Sequence, residues 1–395
     1  MCEFWKLFEI IFKLMFRILI VLMTVFMVAC SSDDAAKTAL IATDEATSVA
    51  DGDIADYIEV VDAVAIPVSD SLLISHVVDV KQHGEDLYLL CSNNPFGMDG
   101  TILKLGADGS YKGSLTHRGE GPGELRPFSL IAFDVNDKGL FVSDSQKIMQ
   151  YDHDGNYLST IIKGRNILSF RTDGERLVAA LGDDSLLCHA FDMRGEEIAA
   201  AMPRTTLGAV GGINSMLKLA DGRMLYHVAS ANDGMLFDPA DASFSPLDIT
   251  EIPDAQTAAA YEATVKRDPK FGVMVGEDAG VLVNALTVSG DDMILGTNRP
   301  EGADAALWLS KNGAVTRIAS GDGLADTATG GAVFYPAGSS VGDGVWVYPV
   351  NAEGLLDVVA EKEVASRLRD VASGLAADDN PVLVFYKLKG NSKSK

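Results

Sequence analysis

From Tyr57 onward, apolar residues come in short alternating bursts broken by turns rich in Gly and Asp. That alternation predicts half-buried β-strands. The clearest unit runs from Ser129 to Ile162, where SLIAFDV, GLFVSD, KIMQYD and YLSTII predict four successive strands. The last two flank His153-Asp154-Gly155-Asn156, a hairpin turn built on Asp-Gly. Thr101–Leu105 and Tyr111–Leu115 flank Ala107-Asp108-Gly109 in the same way. Further turns of this kind stand at Met193-Arg194-Gly195, Asp238–Asp241, Lys311-Asn312-Gly313 and Glu353-Gly354. Between the markers Gly109, Gly155, Gly195, Ala240, Gly313 and Gly354 the spacings are 46, 40, 45, 73 and 41 residues. All but the 73 fit one four-stranded propeller blade. A single blade cannot bury both faces, so the pattern predicts an all-β, six-bladed β-propeller of four-stranded blades.

The long spacing holds an insertion near 254–278, in which Thr257–Lys266 reads as a short helix. Val364, Leu368, Val371 and Leu375 fall at helical spacing and predict a second helix near 361–376. The strand Pro381–Leu388 is expected to meet Tyr57–Val68, so that a blade shared between the chain ends closes the ring and removes sheet edges.

Ahead of the strands the pattern changes. Ile18–Ala29 is apolar except for Thr24, too short to cross a bilayer but the right length for the apolar core of a secretory signal. Lys6, Lys13 and Arg17 precede it, and Met27-Val28-Ala29-Cys30 ends it. A start at Met15 would give a shorter, cleaner signal than residues 1–14 allow, and a peptide containing Trp5 would exclude that start. Residues 31–56 are rich in Ala, Asp, Thr and Ser without apolar periodicity. The expected organisation is therefore a signal over 1–29, a flexible acidic tether over 30–56 and the propeller over 57–390.

Composition refines the picture. The 395 residues carry 32 Lys and Arg against 56 Asp and Glu, a formal net charge of −24. This balance argues against nucleic acid as a partner, because phosphate neutralisation needs clustered cations. It also disfavours docking of the folded surface on anionic lipid. Of four Cys, Cys91 and Cys188 lie in apolar runs and read as buried thiols, with a disulfide between them left open. No Cys/His spacing suggests zinc.

Residues Arg118–Ile162 resemble an NHL-type propeller repeat. The resemblance is carried by Gly119–Glu124 (GEGPGE), Leu125, Pro127, Ile131–Asp134, Leu140–Asp144 and Met149–Gly155. Met27–Cys30 resembles the lipobox of bacterial lipoproteins, with Met where Leu is usual, and Ser31-Ser32-Asp33-Asp34 resembles an acidic surface-directing tether. The chain from Tyr57 to Lys389 is similar to six-bladed β-propeller lipoproteins of Bacteroidota, down to the closing segment Asp379–Lys389. This implies lipidation (palmitate among the acyl chains) at Cys30, attachment to the outer membrane through that lipid, and a periplasmic or surface-facing domain. It implies no particular reaction, because fold alone does not assign function.

Candidate chemistry is sparse. Gly119–Glu124 does not suit a phosphate cradle: Pro122 lacks an N–H, Glu120 and Glu124 repel anions, and a strand follows. It reads as a crossover between blades, flanked by His117, Arg118 and Arg126 as candidate ligand contacts bordering a central funnel. Asp152–Asn156 begins like a calcium loop but lacks the Glu an EF-hand needs. His76, Asn214 and Asn284 are the remaining funnel candidates. Trp308 and Trp346 lie in strand-like runs and are expected in the core. No catalytic residue set and no metal site emerges, and no cofactor is expected. The sequence therefore favours a cell-envelope binding or scaffold propeller for a peptide, protein or glycan. The alternative is a calcium-dependent propeller enzyme (lactonase, lyase or hydrolase) working in the central channel.

Overall fold

The second strand of each early blade is an unbroken apolar run, as in Asp86–Ser92 (DLYLLCS), Gly139–Ser143 (GLFVS) and Arg176–Leu181 (RLVAAL). Every residue of these strands after the first is buried, so both faces of each sheet are covered. The outer strands Tyr157–Lys163 and Glu197–Pro203 are largely exposed or half-buried. A sheet covered on both faces and wet at its outer edge is a propeller blade. A computed structural model of the chain shows six such sheets. It describes residues 39–390 apart from 70, 71, 94–97, 130, 205–214, 269–271, 277, 301, 303, 304 and 320–323. The expected signal over 1–29, the lipidation candidate Cys30 and the candidate Asn214 lie outside the described residues.

Blades one to five open on His76–His83, Ala132–Asn136, Ile167–Thr172, Met216–Lys218 and Leu282–Ser289. Blade six opens on Ser339–Gly342. Within every blade the four strands follow one another antiparallel. Each first strand touches the first strand of the next blade, and Ser339–Gly342 returns to His76–His83. Blade six is built from both chain ends: Val382–Leu388 pairs with Val345–Val350 on one side and Ile58–Ala65 on the other. That is the closure expected from the sequence.

The core is distributed between blades. One cluster joins Tyr88, Phe133, Phe141 and Phe170 across blades one to three. Others link blades three and four, four and five, five and six, and six and one. The hairpin glycines belong to this packing. Gly155 has φ of 84°, and a Cβ there would sit 2.8 Å from Leu115 O, just beyond blade one. Gly195 has φ of 81°, and a Cβ would sit 2.1 Å from Ile161 O in blade two. At Gly155 and Gly195 the period read from sequence therefore marks tips that abut the preceding blade, where left-handed backbone and lack of a side chain are both needed, whereas the blade-five tip Gly313 needs only the left-handed backbone.

Two expectations change. The segment assigned as a flexible tether is ordered from Ala39. Ala39–Ile41 pairs in parallel with the outer strand Ser243–Thr250 of blade four. Thr47–Val49 does the same with Ala314–Ala319 of blade five, and Gly52–Asp53 pairs with Leu324–Ala325. These strands are three residues or fewer, too short to show a periodicity of their own. The Glu353-Gly354 turn is also absent: both residues lie in a helix, Ala352–Glu361 (α2). A second helix, Ser366–Ala372 (α3), follows, so blade six carries a helical pair where other blades have a hairpin. The predicted helix near 361–376 is thus α3, with α2 ahead of it. The insertion after blade four contains the expected helix, Ala258–Thr264 (α1), capped by Thr257 Oγ1 accepting from Ala260 N.

Candidate functional site

The six first strands enclose a cavity of about 560 Å³, a size that suits a small ligand. All six blades contribute to its wall, through residues such as Lys81, Asp134, Arg171, His227, Asn284 and Ser340. Four first strands carry charged residues: Asp79 and Lys81, Asp134, Arg171, and Lys218.

The carboxylates are held by the fold. Asp134 accepts hydrogen bonds from Val135 N at 3.1 Å and from Thr172 N of the next blade at 2.9 Å. Asp79 accepts from Val80 N at 2.9 Å and from Ser339 Oγ of blade six at 2.8 Å. Each therefore ties its strand to a neighbouring blade. Lys81 Nζ lies 3.2 Å from both carboxylate oxygens of Asp79. Burial lowers the Lys81 pKa and the nearby Arg171 charge lowers it further, while Asp79 and Asp134 oppose the shift. Arg171 is 4% exposed and donates from Nη1 to Phe170 O. The described residues give its guanidinium no second hydrogen bond and no ion pair. His227 donates from Nε2 to Ala231 O at 2.9 Å, and burial lowers its pKa to about 4, so it is neutral at pH 7.

Of the residues nominated from sequence, Asn284 is exposed and lines this cavity. His76 lines a second cavity of about 510 Å³, beside Tyr348 and Asn351, which shares Ala337 and Ser339 with the first. His117 and Arg118 form a short parallel pair with Glu124 and Leu125, away from both cavities. Arg118 donates to Arg126 O and Gly100 O and pairs with Asp99 at 3.1 Å, so it braces the crossover between blades one and two. Arg126 donates from its backbone N–H to the buried Asp144 carboxylate. The Gly119–Glu124 loop is closed internally, with Glu124 Oε2 accepting from Gly121 N at 2.8 Å. Asp152 caps its own hairpin, accepting from Asp154 N and Asn156 N.

Lys81, Arg171, Asp134 and His227 were not nominated from sequence. For the first three a signal existed in the charges interrupting VVDVKQ, AFDVN and LSFRT. In a strand buried on both faces, such a charge reports an opening on the channel. Trp308 and Trp346 are core residues, donating from Nε1 to Thr297 and Thr287 hydroxyls respectively. Cys91 and Cys188 are free and buried, and burial pushes the Cys91 thiol up to about 12. Among the described residues, no three or more His, Cys, Asp or Glu side chains are grouped to hold a metal ion.

Residues 31–169 match the model of a family described as a 6-bladed beta-propeller. No curated protein matches the chain. Among solved structures, a putative exported protein from Bacteroides fragilis is similar at 14% identity and a TM-score of 0.64, over 88% of this chain and 99% of that one. A domain-family member from Bacteroides vulgatus is similar at 10% identity and a TM-score of 0.50, over 85% of this chain and 99% of that one. At these identities the likeness concerns the fold. The chain is a six-bladed β-propeller whose structural neighbours include a putative exported protein of Bacteroides.

Proposed function

We propose that this protein is a cell-envelope lipoprotein that binds a glycan, peptide or protein segment through the central channel of its propeller. The observation that carries the reading is the cavity of about 560 Å³ to which every blade contributes wall residues. The Ile18–Ala29 apolar run ending at Cys30 supports export and lipid attachment, and the exported neighbour is consistent with it. A strongly acidic domain gains little from anionic lipid, so a covalent anchor is the physically sensible way to keep it at a membrane.

Two measurements test the two parts. Asn284 is exposed at the cavity wall, and Asn284→Trp fills part of the opening without removing a buried contact. Screening the purified protein against glycan and peptide arrays is expected to return a ligand whose binding this variant abolishes. Ligands bound equally by the variant would place recognition elsewhere. For the anchor, metabolic labelling with palmitate is expected to mark the wild type and not Cys30→Ala. Label retained in the variant would refute lipidation at that residue.

A further inference from the structure

The channel differs in charge from the rest of the molecule. In a chain of net charge −24, the cavity wall presents Lys81, Arg171 and Lys218 against Asp134, with Asp79 behind Lys81. Three cations thus meet two carboxylates, and both carboxylates already accept hydrogen bonds that tie blades together. Lys81 is neutralised by Asp79 at 3.2 Å. Arg171 has no comparable partner among the described residues, although it is 4% exposed and lies close enough to Lys81 for the two charges to oppose each other. A buried guanidinium held by one backbone carbonyl keeps most of its N–H donors for a ligand. Such a group is costly to bury unless an anion completes it. The described lining contains no Trp, Tyr or Phe, so recognition there rests on charge and hydrogen bonds rather than on stacking.

The geometry points to a carboxylate-binding site in the channel, where Arg171 clamps the acid group of a small ligand and Lys218 at the rim adds electrostatic attraction. A carboxylate matches the planar fork of a guanidinium in two parallel hydrogen bonds. The cavity holds a group the size of a disaccharide or dipeptide. Asn284 and Ser340 on the wall can meet the remaining polar atoms. This inference rests on the channel being the ligand site, and adds the chemistry of what it holds.

The test is calorimetric titration of the purified protein with two matched pairs, at low and high salt. One pair is a disaccharide ending in a uronic acid and its neutral counterpart; the other is an N-acetylated dipeptide and its C-terminal amide. At least one acid is expected to bind about tenfold or more tightly than its neutral partner. Which acid binds tells a glycan source from a peptide source. Arg171→Gln is expected to weaken the acid and leave the neutral partner unchanged, a pattern that loss of folding cannot produce. Lys218 is exposed, so Lys218→Gln keeps the fold; it is expected to weaken the acid a few-fold at low salt and hardly at all at high salt. Equal binding of acid and neutral partners, abolished in both by Asn284→Trp, would overturn the carboxylate assignment and leave the channel reading standing. No binding by any of the four probes would also overturn it, and the array screen would then judge the channel separately.

Discussion

His227 faces the channel from the second strand of blade four, buried, with Nε2 committed to Ala231 O. Its pKa of about 4 in the folded chain lies below the ordinary 6.5, so the unfolded chain binds the extra proton first as pH falls. The folded state therefore keeps its full stability above pH 6.5 and loses some of it between 6.5 and about 4. A shift of that size corresponds to about 3 kcal/mol at the acid end. His227→Gln can still donate to Ala231 O but does not titrate. Thermal melts at pH 7 and 4.5 are expected to show a smaller acid-induced fall in Tm for the variant than for the wild type. An equal fall in both would assign the acid sensitivity to other groups.

The same scale explains how much of the site could be read from sequence. Asn284 is a funnel candidate from sequence, as a position that could point inward, and it does line the cavity. Arg118 and Arg126 looked equally free, but their environment is set by Asp99 and Asp144, which come from other turns of the chain. Arg171 carries the opposite lesson. Its charge interrupts the apolar run LSFRT, but only the ring of six blades turns that position towards a channel.

At the scale of elements, the regular strands were legible because each is long enough to show its alternation, and because Asp-Gly turns punctuate them. The segment 39–56 was not, because its order comes from blades four and five. Ile41 is 1% exposed and packs with Leu247 and Ile249. Thr43 Oγ1 lies 3.0 Å from Thr250 Oγ1. Asp53 Oδ1 accepts from Ala55 N and Thr327 N, both at 2.9 Å. Burying Ile41 alone is worth about 2 kcal/mol, and the Asp53 bonds add roughly 1 kcal/mol each. Deletion of residues 31–56 is therefore expected to lower Tm by roughly 5 °C or more. Asp53→Ala should reproduce part of that loss. A true tether would leave Tm unchanged, and melting curves of the deleted and full-length proteins separate the two cases.

At the scale of the molecule, closure depends on one strand. Val382–Leu388 sits third in blade six, its residues buried except for Lys387, with partners on both sides. Lys389 N donates to Tyr57 O at 2.7 Å just beyond it, extending the contact between Val382–Leu388 and Ile58–Ala65. Removing the strand would uncover Trp346 and Tyr386's neighbours in the cluster shared by blades five and six, and would leave Ile58–Ala65 without a sheet. Because each blade is covered only by its neighbours, an open edge exposes apolar surface on both sides of the gap. A chain ending at Ala376 is therefore expected to lose cooperative unfolding and to aggregate. Adding the separate peptide 377–390 during refolding should restore a cooperative transition, since the strand needs its register and not its covalent link. A truncated chain that melts cooperatively near the full-length Tm would show instead that the other five blades stand as an open arc, and that the channel does not require a closed ring.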